Sequence, residues 1–508
     1  MNRNESTESR VARRLFALTI LAALLFLPLS HPGPSSASGM QQGRGEPLAS
    51  LMSYGQTVFG SLGAPGQTQE YSFQASAGDL ILVRASRATG DLWPRIRLND
   101  PSGLLLGDEE SPVHVEFTVK TGRSGTHRIR ISDGFDQEGV GTYRLYLQRL
   151  NGAAAATPLL LGQTVGGSIT QEAEMDAYSF SAEEGDIILT RLADDEGDLW
   201  PELRLYDPAG TLLNSKHDPS HAEFTTILPT KFYAYLPMIL SAHQSLTSRT
   251  AGTASPASYK ATVSGTYTVL VGDGFNGTLV GPYGLYVQRL DGPGNANGLS
   301  FGAVHSSRID QAAEMDTYTF EGSVGDRVLV SIGRVSGDLH AEIRLYDPAG
   351  SLINTTEDAF YAEATTSLIA NGTYTLLVGD GFWGRGTGEY NLYLQRLNNP
   401  GNATPLSYGE ILSGTILYAA EIDTYTFSAE GGDQVRLGMS RASSGSLWPE
   451  VRLYAPDGAL IATDDDSTSA EITRILAESG TYTVLCTDGL QGSSTGEYDL
   501  QLDKLSTR

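Results

Sequence analysis

One unit is written four times along this chain, and that repetition limits the fold more than any other feature. Tyr71 and Phe73 open the first unit, as do Tyr178 and Phe180, Tyr318 and Phe320, and Tyr425 and Phe427 in the others. A Gly-Asp pair follows each opening, ending at Asp79, Asp186, Asp326 and Asp433. Then come the run from Arg97 to Gly103 and its counterparts starting at Arg204, Arg344 and Arg452. Asp-Gly pairs stand at Asp133, Asp273, Asp380 and Asp488, each followed by a final strand beginning at Gly141, Gly281, Gly388 or Gly496. From the first of these aspartates to the second is 54, 87, 54 and 55 residues. The second unit therefore carries an insertion, placed at about 228–262, that opens apolar from Phe232 to Leu240 and then turns polar. A long excursion of this kind is a docking loop or a disordered segment.

Within each unit the apolar pattern has period two. Tyr374, Leu376 and Val378 alternate with Thr373, Thr375 and Leu377, and Ile343 and Leu345 flank Arg344. Short alternating runs, broken by Gly, Asp-Pro and Asp-Gly turns, predict antiparallel sheets packed as a sandwich. The expected fold is all-β: four tandem antiparallel β-sandwich modules, jelly-roll-like, after an N-terminal signal peptide. The expected boundaries are 54–150, 159–290, 299–397 and 406–505. Short linkers of small residues between them read as exposed joints, so each module is expected to fold by itself.

The leader argument rests on Arg3, Arg10, Arg13 and Arg14, the apolar stretch Leu15–Leu29, and the small residues Ser35 and Ala37. These are the three parts of a secretory signal peptide cleaved after about Ala37, leaving 38–53 as a linker. The apolar stretch is shorter than the ~20 residues that span a bilayer. Retention as an N-terminal anchor is the competing reading. No membrane span is expected after cleavage. Export implies an extracellular or cell-surface location.

The ordered motifs, D-x-Y-x-F, G-D, R-L-Y-D-P-x-G, G-T-Y, D-G and G-x-Y-x-L, resemble the bacterial pre-peptidase C-terminal domain, repeated four times across residues 54–504. That resemblance implies a compact β-sandwich, export, and an accessory or binding role beside secreted peptidases. Related domains in collagenases bind collagen, some with calcium at the domain edge. The catalytic domain that usually accompanies the family is absent here, so the resemblance does not imply proteolysis.

Chemistry is sparse. There is no G-x-S-x-G elbow, H-E-x-x-H, P-loop or dinucleotide fingerprint. Cys486 is the only cysteine, which excludes intramolecular disulfides and Cys₄ metal sites and reads as a buried thiol. A formal net charge of −25 argues against nucleic acid or anionic membrane as the main partner. No catalysis is expected. Two features stand out. Trp93, Trp200 and Trp448 share one aligned position, with His340 in the third unit, on the outward parity of their strand. The Asp-Gly turns add Phe135, Phe275, Phe382 and Trp383. Exposed rings suit sugar rings or protein anchors, and the competing reading is that they cover a sandwich edge. Asp108, Glu109 and Glu110 in unit one and Asp464, Asp465 and Asp466 in unit four read as equivalent acidic turns, which makes calcium the one candidate cofactor. A solvated turn is the alternative. The expected function is non-catalytic recognition of a repetitive extracellular polysaccharide or protein fibre by avidity. A structural stalk or wall layer, or an accessory subunit of a separate secreted hydrolase, is the alternative. The sequence leaves the oligomeric state open.

Overall fold

A computed structural model describes residues 49–228, 264–442, 445–490 and 492–506. The expected leader, the start of the linker and nearly all of the insertion lie outside the described residues. The described residues form strands and turns with no helix, so none is long and apolar enough to cross a membrane. The first module has nine strands: β1 (Ser50–Leu51), β2 (Gln56–Leu62), β3 (Gln69–Ala75), β4 (Leu80–Gly90), β5 (Pro94–Asn99), β6 (Leu105–Glu110), β7 (His114–Lys120), β8 (Gly125–Asp133) and β9 (Gly141–Arg149). They form a five-stranded sheet, β1-β3-β8-β5-β6, and a four-stranded sheet, β2-β9-β4-β7. The same two orders recur in the other three modules. All pairings are antiparallel except that of β1, which lies parallel to β3.

Alternation sets the faces. In β5, Pro94, Ile96 and Leu98 are buried between the sheets, while Arg95, Arg97 and Asn99 point outward. Each module has its own apolar core, such as Phe73, Ile81, Ile96, Ile129 and Leu145 in the first. Each such side chain contributes roughly 1.5–3 kcal/mol on burial. Cys486 lies in the fourth core, where burial pushes its thiol well above the ordinary value.

The joints differ from expectation. The strands equivalent to β1 are Thr157–Pro158, Asn297–Gly298 and Thr404–Pro405, so residues placed in linkers are sheet residues. Each pairs with the strand carrying Tyr178, Tyr318 or Tyr425. More importantly, successive modules stack sheet on sheet. The outer face of the four-stranded sheet of one module covers the outer face of the five-stranded sheet of the next. Leu82, Tyr146 and Leu150 pack with Ala173, Met175, Tyr206 and Leu270 at the first junction. Leu189, Tyr286 and Leu290 pack with Met315, Tyr346 and Leu377 at the second. Leu329, Tyr393 and Leu397 pack with Ile422, Tyr454 and Leu485 at the third. The modules are therefore not exposed beads on small-residue joints; an excised module would expose an apolar face.

Charges are buried in the same junctions. Arg84, 1% exposed, lies 3.6 Å from Glu116 of its own module and 3.3 Å from Glu202 of the next. It also donates to the Asp273 carbonyl across the junction, at 3.2 Å. Arg204 closes the set, 2.6 Å from both Glu116 and Glu202. Two guanidinium groups and two carboxylates alternate, which offsets the desolvation that isolated buried charges would suffer. Burial alone would raise the Glu116 carboxyl, but Arg204 and Arg84 outweigh it and hold it below the usual range. The second junction repeats the set with Arg191, Glu223, Arg344 and Glu342. The third keeps Arg452 between Glu363 and Glu450, at 2.7 and 2.6 Å, but has Ser331 where the others have Arg84 and Arg191. Tyr361 fills that space and donates to Glu363 at 2.7 Å.

Candidate functional site

In modules one, three and four two loops at one end of the five-stranded sheet are held together by one aspartate. Asp133 Oδ1 accepts the Trp93 amide at 2.8 Å, and Oδ2 accepts the amides of Asp136 and Gln137. Asp380 accepts the amides of His340, Trp383 and Arg385. Asp488 accepts those of Trp448, Ser493 and Ser494. In module two, Asp273 accepts the amides of Phe275, Thr278 and Leu279. Asp133, Asp380 and Asp488 thus also join the tryptophan or histidine loop to the Asp-Gly loop, whereas in module two the link is the Gly274 amide donating to the Trp200 carbonyl at 2.9 Å. The Gly134 amide adds a bond to the Trp93 carbonyl at 2.8 Å.

The consequence is that residues 42 positions apart in module one, and 75 apart in module two, become ring partners. Trp93 stacks on Phe135 with centroids 4.9 Å apart, and Trp200 on Phe275 at 5.3 Å. Such pairs are worth about 0.5–1.5 kcal/mol beyond area burial. In module three, His340 lies 5.7 Å from Phe382, which packs on Trp383 at 4.1 Å, with Arg385 over the Trp383 face. Module four has Leu490 in place of the phenylalanine, and Trp448 donates its indole N–H to Asp465 at 2.9 Å. The structure places Trp93, Trp200, His340 and Trp448 half-buried rather than open. In modules one and two the phenylalanine covers the indole, so the outer surface is that of Phe135, 72% exposed, and Phe275, 48% exposed. The tryptophans are the floor of an aromatic edge, not its contact surface. The indole N–H groups of Trp93 and Trp200 are buried without a partner.

The two acidic runs are neither turns nor equivalents. Asp108, Glu109 and Glu110 lie in β6, and Asp464 and Asp465 in the matching strand Leu460–Asp465. Pairing places Glu110 opposite Arg95 and Asp465 opposite Glu450, so the two runs are offset by one residue. Strand alternation sends neighbouring carboxylates to opposite faces. Asp108 is engaged by Arg95 and Arg97, at 2.7 and 2.8 Å, which hold its carboxyl below the usual range. Asp464 accepts the Glu471 amide, Asp465 the Trp448 indole, and Asp466 the Thr468 amide. Among the described residues no three acidic, histidine or cysteine side chains converge as a metal site.

The residues that sequence reasoning missed are those of the junctions. Their signal was present: runs such as Ile81–Val83 and Leu392–Leu394 are apolar on both parities, the mark of a sheet covered on both faces.

No family model matches this sequence, and no curated protein matches it. Solved structures give partial matches. The pre-peptidase C-terminal domain of a collagenase from Bacillus anthracis aligns over 98% of its own length and 20% of this chain, at 19% identity and a TM-score of 0.18. The M60 catalytic domain with the CBM51-1 and CBM51-2 domains from Clostridium perfringens ZmpB aligns over 87% of this chain and 55% of its own, at 9% identity and a TM-score of 0.15. The Bacteroides ovatus mixed-linkage glucan utilization locus protein SGBP-B, solved with a mixed-linkage heptasaccharide, aligns over 80% of this chain and 89% of its own, at 13% identity and a TM-score of 0.11. The fold assignment rests on the strand orders themselves.

Proposed function

We propose that this chain is an exported, non-catalytic rod of four modules related to pre-peptidase C-terminal domains, which presents aromatic edges to a repetitive extracellular polymer. The observation that carries this reading is the recurrence, one per module, of the edge held by Asp133, Asp273, Asp380 or Asp488. Exposed phenylalanine at three of the four suits the apolar face of a sugar ring or of a fibre side chain. Several weak sites on one stiff body multiply affinity when the partner repeats, whereas a single site gains nothing from the repetition. The stacked junctions also favour a second, compatible reading, a spacer or wall-layer element whose stiffness is its function.

The test is binding of the secreted chain to a panel of polysaccharides and matrix fibres, against the variant F135A/F275A/F382A. These rings are about half exposed or more and lie outside the cores, so the variant is expected to stay folded, each change costing about 0.5–1.5 kcal/mol through the lost ring contact. Affinity for the recognised polymer is expected to fall by on the order of a hundredfold or more, since avidity is lost with the individual contacts. Unchanged binding would remove the aromatic edges from the function. Absence of binding to every polymer would leave the spacer reading.

A further inference from the structure

We infer that this chain associates head to tail with copies of itself, the outer sheet of module four docking on the outer sheet of module one. The three internal junctions are already built from these two kinds of face, so the geometry of such a contact is present three times in the molecule. At each, an arginine of the five-stranded sheet meets a glutamate of the preceding four-stranded sheet: Arg204 with Glu116, Arg344 with Glu223, Arg452 with Glu363. Arg97 and Glu471 hold the same two register positions on the end faces. Arg97 lies opposite Arg130 as Arg204 lies opposite Leu270, and Glu471 lies opposite Gly438 as Glu116 lies opposite Arg84.

The end faces differ from the internal ones in being charged, and the charges are complementary. On module one, Arg130 stands where Leu270, Leu377 and Leu485 do their packing, and Asn99 stands where Tyr206 does. Arg95, Arg97, Arg128 and Arg130 face outward with Glu70, Asp108 and Glu110, and Arg97, Arg128, Arg130 and Glu70 line an open cleft of about 740 Å³. Arg128 is exposed and has no ion pair among the described residues. On module four, Arg436 replaces the leucine at position 82, 189 or 329, and Gln501 replaces the tyrosine at 146, 286 or 393. Glu471, Glu497, Asp499 and Asp503 accompany Arg436, which is paired with Asp503 at 2.7 Å. A net positive face thus opposes a net negative one. Gly438 also leaves open the space that Arg84 fills at the first junction, opposite the Arg95 position. A contact between unlike faces leaves one face of each kind free in every complex, so it propagates as a filament wherever the rotation between copies does not close a ring. With ions in place of leucines it is reversible and weakened by salt.

Sedimentation of the secreted chain over a concentration series tests this. Elongating, concentration-dependent species are expected at low ionic strength and monomer at high salt. R97E and E471R are each expected to remain monomeric. Mixed together they are expected to associate, because R97E keeps a native tail face and E471R a native head face. Circular dichroism of both variants, matched to the parent, shows that they are folded. Monomer under all conditions would overturn the proposal and leave the charged faces as solubilising caps. Association that survives both variants would overturn it by placing the contact elsewhere. A monomer that binds an acidic polysaccharide such as polygalacturonate, with binding lost in R128E, would overturn it and assign the face of module one to a polyanion.

Discussion

The first two junctions and the third solve one packing problem with different chemistry. All three bury leucine and tyrosine from facing sheets, and all three keep one arginine between two glutamates. The first two add a second, almost fully buried arginine, flanked by His114 or His221. Burial and the nearby Arg84 push the His114 imidazole down to about 3, and the same causes, with Arg191, lower His221. The third has Ser331 and Tyr361 at these positions and so carries less charge. The lesson is that one arginine between two glutamates, with the apolar contacts, suffices to make a junction, and the second arginine is an addition that the first two junctions carry and the third replaces with Tyr361.

Removing the second arginine is the largest expected break. Arg84→Ala or Arg191→Ala leaves two carboxylates sharing one guanidinium in a buried site, a loss of roughly 3–5 kcal/mol. Ser331→Ala at the third junction removes a long contact to the Ala420 carbonyl, at 3.4 Å, and a hydrogen bond with Tyr361, and is expected to cost about 1 kcal/mol. Native-state hydrogen exchange of the flanking strands reads each junction separately. Equal losses at all three would mean that the arginines carry no special weight.

A smaller effect separates a junction from an open face. Gly277 and Gln137 hold the same loop position and both have a left-handed backbone, φ 60° and 67°. A Cβ on Gly277 would sit 2.5 Å from the Arg84 guanidinium and 2.8 Å from His114, whereas Gln137 lies on the face of module one that no other module covers among the described residues. Gly277→Ala is expected to destabilise the first junction by about 1–3 kcal/mol, and Gln137→Ala to be near neutral. Urea unfolding of both variants, followed by proteolysis of the module-one and module-two boundary, checks the contrast. A neutral Gly277→Ala would show the junction to be looser than its contacts imply.

Acid pH also separates the first junction from the third. His114 is neutral in the fold and titrates near 6.5 when unfolded, so protons bind the unfolded state first. Stability at the first junction is therefore present above pH 6.5 and declines as pH falls toward about 3. The depressed Glu116 and Glu223 add loss at the acidic end of that window. The third junction has neither histidine. Exchange protection measured at about pH 7 and pH 4.5 is expected to fall around β4 and β7 and little around Arg327–Arg334 and Tyr361–Ser367. A uniform fall would assign the sensitivity to the cores instead.

The aromatic edge was legible in the alignment of repeats, because a residue type recurring at one register position needs no coordinates to be seen. Trp93 and Phe135 were both visible in this way. Their contact was not, since it depends on Asp133 bridging two loops, and neither was the burial of the indole beneath the phenylalanine. The acidic runs misled for a related reason. Asp108 and Asp464 look alike in sequence, but a one-residue offset in a strand reverses the face, and only pairing partners fix the offset.

By itself the sequence determined the sandwich and its fourfold repetition, because period-two patterning and turn residues act within about ten positions and need no distant partner. What only the tertiary structure decided is that the four sandwiches form one stacked body. Arg84 meets Glu202 across 118 residues, and Leu377 packs on Tyr286 across a module boundary. An outward-facing leucine or arginine is consistent with solvent, ligand or neighbour, and which of these it meets is fixed by where the next sheet lies.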